Sequence, residues 1–124
     1  MTRHVLTVDL VPERRRIAQY LRYHREPWPE VVKSLRRVGI RSLDIYRLDR
    51  RLVMVMETRT GLDLRAAMAR HRNSSHRCAE WEELMRSFQR RPPGARKGEV
   101  WARMERVFRL GGSKRGRSAR RKAR

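Results

Sequence analysis

Three side chains suited to binding and protonating a small polar ligand lie close together near the start of the sequence. Tyr20 and His24 are four residues apart on a predicted helix, and Trp28 follows just beyond the helix end. The phenol and indole can pack against the C–H side of a sugar ring, and the imidazole exchanges protons near neutral pH. The spacing fits a small-polyol site. It equally fits packing aromatics with a histidine at a helix C-terminus, so both interpretations stay open here.

Other residues with chemical potential form weaker patterns. His71, His76 and Cys78 are of zinc-binding types, but no fourth ligand has matching spacing, so no metal site is expected. The helical apolar spacing around Cys78 instead indicates a buried packing residue.

The acidic residues do not single out a base that would work with His24. Asp44 and Glu57 are expected on strand surfaces, and either of them, or water, stays open as that base. A second acidic group is expected to form a solvated helix face balancing nearby arginines. Its members are Glu80, Glu82 and Glu83.

Four strands are expected to carry these side chains. Apolar alternation predicts a strand over residues 4–10, and two more over 40–48 and 51–58 that a short turn joins into an antiparallel hairpin. A last strand is predicted over 100–110. Its expected core anchors are Met104, Phe108 and Leu110.

The helical regions are each split in two. Pro12 and Pro29 suit first turns, and they predict helices over 12–25 and from 29 to the glycine at position 39. Two more helices are predicted over 62–69 and 76–88. The resulting order β-α-β-β-α-β predicts an α+β, ferredoxin-like fold, a four-stranded antiparallel sheet with helices on one face.

Composition sets the remaining expectations. The 124 residues predict one domain over 1–110 and a disordered tail over 111–124, which holds seven Lys or Arg and no acid. The net charge of +20 favours weak nonspecific attraction to nucleic acid, in particular through the tail. The single cysteine fits a reducing compartment, and no segment has the length of a membrane span. We therefore expect a cytoplasmic protein.

Several short motifs occur in the order typical of a known family. The pattern Tyr-x3-His-x3-Trp-Pro-Glu-Val that begins at Tyr20 resembles the signature of L-rhamnose mutarotases. The resemblance covers about residues 3–110 and leaves the tail outside. Further similar segments lie at residues 39–46, 54–57, 80–85 and 98–110.

The resemblance implies an isomerase that interconverts the anomers of a 6-deoxy hexose, L-rhamnose or L-fucose, by opening the ring without a cofactor. It implies that His24 is the proton donor, that Tyr20 and Trp81 contact the sugar, and that Trp28 shapes the site. An acidic His24 must be protonated, so activity is expected to fall as pH rises above its pKa. The resemblance also implies a homodimer, with the two sheets packed as a dimeric α/β barrel.

Two positions depart from the family pattern and leave the particular sugar open. Leu43 stands where some members have a sugar-binding tyrosine, and Glu82 stands where many have a second tryptophan. The alternatives are a basic nucleic-acid-binding module and a non-catalytic or otherwise active dimeric α/β-barrel protein. Against the first, basic residues are spread over every element, and no RNA-binding aromatic motif appears on a strand.

Overall fold

The computed structural model describes residues 1–111, and its elements follow the predicted order. Apart from Gly111, the predicted basic tail at 111–124 lies outside the described residues. None of the helices described has the length and apolar character needed to cross a membrane. The elements are β1 (Thr2–Leu10), α1 (Arg14–Arg25), α2 (Pro29–Arg37), β2 (Ile40–Leu48), β3 (Arg51–Thr58), α3 (Leu64–Arg72), α4 (His76–Ser87), β4 (Gln89–Arg90) and β5 (Ala102–Arg103).

The sheet is antiparallel and centres on β1. Its strand order is β2-β3-β1-β4, and β5 also pairs with β1. Because β3 occupies one edge of β1, β4 and β5 share the other edge. The two short strands β4 and β5 together take the place of the fourth strand, which confirms the ferredoxin-like α+β fold.

The strand register divides the sheet into two faces, since directly paired residues point to the same side. Leu6 and Met54 are paired on one face, and Val8 and Leu52 lie beside them. The helices pack on this face, where Val8 and Leu52 belong to the same buried cluster as Tyr20 of α1. The opposite face, which we call the outer face, carries no helix among residues 1–111.

The two predicted helix starts at proline have different outcomes. α2 begins at Pro29 as expected, but α1 begins at Arg14 rather than at Pro12. The reason is that the Val11 backbone N–H still donates to the carbonyl oxygen of Phe88, at 2.8 Å, so the chain leaves the sheet one residue later. Gly39 ends α2 as predicted, and its φ of +112° is a conformation that favours glycine.

The predicted last strand is wrong in length and in its anchors. Only Ala102–Arg103 pairs with β1, and residues 104–110 have no regular structure. Met104, Phe108 and Leu110 are 45%, 75% and 89% exposed, so among residues 1–111 they are not core anchors. β4 occupies the edge of β1 at Asp9 and Leu10, which stops the pairing of the last segment from extending toward residue 100. On the other side of β5 one further backbone bond follows, from Met104 N–H to the Val5 carbonyl oxygen at 2.8 Å.

Candidate functional site

A cavity of about 540 Å³ lies between the helix-covered sheet face and the helices. Its volume falls within the range of roughly 300–1,000 Å³ found for small-molecule sites. One part of its wall is apolar and includes Leu43, Met54 and Met56 from the sheet. The remainder holds most of its aromatic and ionisable side chains. These are Tyr20, His24, His71, Trp81, Glu82 and Trp101.

His24 lies half-buried in the cavity wall, with one ring nitrogen held by its own helix. Its Nδ1 is 2.9 Å from the carbonyl oxygen of Tyr20, and because a carbonyl can only accept, Nδ1 carries the hydrogen. Nε2 is therefore the nitrogen available to exchange a proton. Burial lowers the pKa of His24, with the bond to Tyr20 acting in the other direction, so the neutral imidazole dominates near pH 7.

Tyr20 stands directly against His24, as its position one turn earlier predicts. The two ring centroids are 4.4 Å apart, and Nε2 of Gln89 approaches the phenol oxygen at 3.4 Å. Burial raises the pKa of Tyr20 to about 12, so its hydroxyl keeps its hydrogen. The phenol can therefore donate to an oxygen of a bound ligand.

Trp81 lies beside His24 at the cavity, and Trp28 packs against Trp81 on the side away from the cavity. Trp81, in α4, lies 5.5 Å from His24 between ring centroids and borders the cavity. Trp28 packs edge-on against Trp81 at 5.1 Å but is not among the described residues that line the cavity. The guanidinium of Arg77 covers the Trp28 ring at 3.6 Å. The structure thus brings all four predicted site residues together, with Trp28 one layer removed from the cavity.

The sequence analysis missed a second histidine cluster on the same cavity. His71 is fully buried at the end of α3, and its Nδ1 lies 2.8 Å from the hydroxyl of Ser34. Its Nε2 is 3.6 Å from Glu82 Oε2 and has no hydrogen-bond partner within residues 1–111. Glu82 therefore departs from the predicted solvated face, since only 30% of its side chain is exposed. No local signal reveals this contact, because it joins α2, α3 and α4.

The sequence analysis considered two carboxylates as a base that would work with His24. Both lie away from the cavity. Asp44 is exposed and pairs with Val55 on the outer face. Glu57 is also on that face and accepts from Arg3 at 3.1 Å. Neither carboxylate borders the cavity, so neither is placed to work with His24.

The residues considered for zinc do not converge. His76 is exposed beside Glu80, whereas Cys78 is 1% exposed in the core, which confirms that Cys78 is a packing residue. Among residues 1–111 there is no group of three or more potential metal-binding side chains.

Fold and cavity together define a small α+β domain with a cavity of small-molecule size beside a neutral imidazole. The L-rhamnose mutarotase family model matches residues 3–110. An L-fucose mutarotase of Xanthomonas campestris pv. campestris is 43% identical over 112 residues, 89% of each chain. A UPF0734 protein of Dictyostelium discoideum is 32% identical over 83% of this chain and 85% of its own.

Solved structures agree on the fold. The L-rhamnose mutarotase of Formosa agariphila matches with a TM-score of 0.64 at 17% identity, covering 90% of this chain and all of its own. The tetracenomycin F2 cyclase of Streptomyces glaucescens matches with a TM-score of 0.57 at 14% identity, over 91% of this chain and all of its own. At these identities the likeness establishes architecture alone. The sequence matches carry the assignment: this chain belongs to the L-rhamnose mutarotase family and is a carbohydrate isomerase.

Proposed function

We propose that this protein interconverts the α and β anomers of a 6-deoxy hexose, L-rhamnose or L-fucose, with His24 as the proton-transfer residue. The observation that carries the proposal is the state of His24. Its Nδ1 is bound to the Tyr20 carbonyl, and its Nε2 is available in a cavity of sugar-binding size. A positioned acid or base contributes roughly 10²–10⁴-fold, which is enough to accelerate a reaction that already proceeds in water.

The lowered pKa of His24 sets the order of its two steps. The neutral imidazole first takes the proton of the anomeric hydroxyl as the ring opens. The imidazolium that results is then the proton donor, and it returns this proton to the same oxygen when the ring closes on the other carbonyl face. Tyr20 donates a hydrogen bond to the sugar, and the indole of Trp81 packs against its C–H side.

The apolar part of the cavity wall supports a 6-deoxy sugar. Leu43, Met54 and Met56 offer no hydrogen bond to a hydroxyl group at C6, whereas a methyl group would bury its surface against them. Leu43 also removes the tyrosine hydroxyl that some family members have, so the choice between L-rhamnose and L-fucose depends on the remaining polar groups.

Saturation-transfer NMR on a panel of sugars tests the proposal. We expect the protein to accelerate α/β exchange of L-rhamnose or L-fucose more than exchange of the corresponding 6-hydroxy hexoses. If no sugar on the panel exchanges faster with the protein than without it, the proposed activity is wrong. If the 6-hydroxy sugars exchange equally fast, the role of the apolar wall is wrong.

We propose that a second copy of this chain covers the outer face, giving a homodimer. Val53 and Val55 lie at the centre of this face, half-buried without a helix above them among residues 1–111. Residues 104–110 add exposed apolar side chains beside β5, with Val107 and Phe108 85% and 75% exposed. Such exposed apolar surface is typical of an interaction site.

Sedimentation equilibrium tests this dimer. Val53→Lys places a charge at the centre of the outer face and should yield monomers, whereas Arg65→Ala, an exposed change on α3, should leave the dimer intact. A wild-type protein that is monomeric at micromolar concentration, or a dimeric Val53→Lys variant, would overturn the proposed interface.

Two further expectations from the sequence, the cellular location and the attraction to nucleic acid, are also proposals. We propose a cytoplasmic location, supported by the single cysteine. The net charge of +20 supports a weak nonspecific attraction to nucleic acid. Retention on immobilised DNA should then fall steeply across a salt series, and retention that persists at high salt would favour a specific nucleic-acid function instead.

A further inference from the structure

The hydrogen bonds around His71 determine which of its nitrogens carries a hydrogen. Ser74 Oγ lies 2.7 Å from the carbonyl oxygen of His71, which can only accept, so Ser74 donates there. Ser34 Oγ must then donate to Ser74 Oγ, at 3.0 Å, because the Ser74 hydrogen is already used. Ser34 can consequently only accept from His71, and Nδ1 of His71 carries a hydrogen.

The other nitrogen of His71 faces a carboxylate. With Nδ1 protonated, a neutral His71 presents a bare lone pair at Nε2, and Nε2 is 3.6 Å from Glu82 Oε2. A bare imidazole nitrogen and an ionised carboxylate would be two acceptors facing each other, and the nitrogen is fully buried. One additional proton, on Nε2 or on the carboxyl, removes this conflict. The geometry of the pair therefore favours one additional proton at this contact.

This pair borders the same cavity as His24. Glu82 is partly exposed to the cavity, whereas His71 lies behind it with no exposed surface. The phenol of Tyr20, which stands against His24, lines the same cavity. The wall of one cavity thus holds both the imidazole of His24 and the carboxyl group that faces His71.

We infer that Glu82 is the second catalytic residue of the anomer exchange, the acid that protonates the ring oxygen, and that His71 is the positioning residue that holds its proton. This inference rests on the proposed function. It also accounts for the departure at position 82, where the tryptophan of many family members could not supply a proton. From the sequence, Asp44, Glu57 and water were considered as the base beside an acidic His24. Here His24 starts as the base, and Glu82 is the acid.

The proposed step balances without a cofactor. His24 Nε2 takes the proton from the anomeric hydroxyl, a C1=O1 double bond forms, and the C1–O5 bond breaks. The released electron pair on O5 takes the proton from Glu82, which leaves the open-chain aldehyde, an imidazolium at residue 24 and an ionised Glu82. After rotation about C1–C2, O5 attacks C1 and returns its proton to Glu82, while His24 returns its proton to O1.

The shared proton can be measured in the wild-type protein without any sugar. At pH 7, ¹⁵N shifts of the His71 ring and the ¹³C shift of the Glu82 carboxyl should show one of two states. Either His71 is an imidazolium beside an ionised Glu82, or His71 is neutral beside a protonated Glu82. A neutral His71 beside an ionised Glu82 would overturn the inference, whatever the activity.

Two variants test the role in the reaction. Glu82→Gln should lower kcat for exchange about 10²-fold or more with little change in KM, because the amide keeps the shape but releases no proton. Glu83→Gln, an exposed neighbour on the same helix, should exchange at the wild-type rate. His71→Gln keeps an N–H near Glu82 and should lower kcat by a smaller factor, again without changing KM.

The outcomes separate this inference from the proposed function. If the wild-type protein exchanges a sugar and Glu82→Gln does so equally well, Glu82 is not the acid, and the proposed function stands. If the wild-type protein exchanges no sugar, the proposed function fails, and the NMR measurement still decides whether His71 and Glu82 share a proton. If exchange in Glu82→Gln is slower because KM rises while kcat is unchanged, Glu82 is a binding residue, and its role as acid is overturned.

Discussion

His24 and His71 border one cavity from two helices, α1 and α3, and their hydrogen bonds differ in origin. His24 Nδ1 donates at 2.9 Å to the Tyr20 carbonyl four residues earlier in the same helix. His71 Nδ1 donates at 2.8 Å to Ser34, 37 residues away in α2. The first arrangement follows from local spacing, whereas the second exists only once α2 and α3 pack together. One histidine is thus partly open to the ligand, and the other is locked into the fold.

Because His24 rather than His71 is open to the ligand, the largest expected effect is a loss of activity when His24 is replaced. His24→Ala should lower the rate of anomer exchange by about 10²–10⁴-fold, because it removes the group that takes the anomeric proton. The measurement is exchange NMR on L-rhamnose and L-fucose. His76→Ala is the matched control, since His76 is exposed and outside the cavity, and it should keep the wild-type rate. Unchanged exchange in a folded His24→Ala variant would refute the role of His24.

For stability the order is reversed, and we expect the larger loss when His71 rather than His24 is replaced. His71→Ala should lower the free energy of unfolding by about 2–4 kcal/mol, because it opens a buried space and removes the N–H that donates to Ser34 Oγ. His76→Ala should change that free energy by less than about 0.5 kcal/mol. Urea unfolding followed by tryptophan fluorescence measures both. If His24→Ala proves as destabilising as His71→Ala, the contrast between the two histidines fails.

The pH profile of exchange tests the resting state of His24. Burial lowers its pKa below the ordinary value of 6.5, and the proposed step begins with the neutral form. On the acidic side of its profile the rate should therefore fall by about tenfold per pH unit once the pH drops below the lowered pKa of His24. A rate that does not fall at low pH would show that the imidazolium of His24 is the starting form, as the sequence alone suggested.

The pKa of His24 also links pH to stability. The folded state has the lower pKa, so it binds fewer protons than the unfolded chain in the interval between the two pKa values. This contribution to stability is full above pH 6.5 and is lost as pH falls below 6.5. His24→Ala should therefore be less sensitive to acid than the wild-type protein when urea unfolding is repeated over this interval.

The smallest effect is expected behind the cavity. Arg77→Met removes the guanidinium that covers Trp28 and should lower the free energy of unfolding by about 0.5–1 kcal/mol. Because Trp28 supports Trp81 rather than lining the cavity, KM and kcat should change by less than about twofold. A large rise in KM would mean that Trp28 contacts the sugar directly.

Sequence alone determined the parts of this protein that depend on neighbouring residues. Period-2 alternation gave β1, β2 and β3, and proline placed the start of α2 at residue 29. The spacing of Tyr20 and His24 placed two site residues side by side, because residues four apart on a helix are always neighbours.

Tertiary structure decided whatever depends on distant segments meeting. Residues 104–110 have the apolar spacing of a strand, yet after Ala102–Arg103 only the Met104 N–H bonds to β1, and the described residues beyond it form no strand. Glu82 carries the pattern of a solvated helix face, yet the packing of α3 against α4 places it beside His71. Strand pairing and helix packing are set by contacts between segments far apart in the chain, and local periodicity contains no information about them.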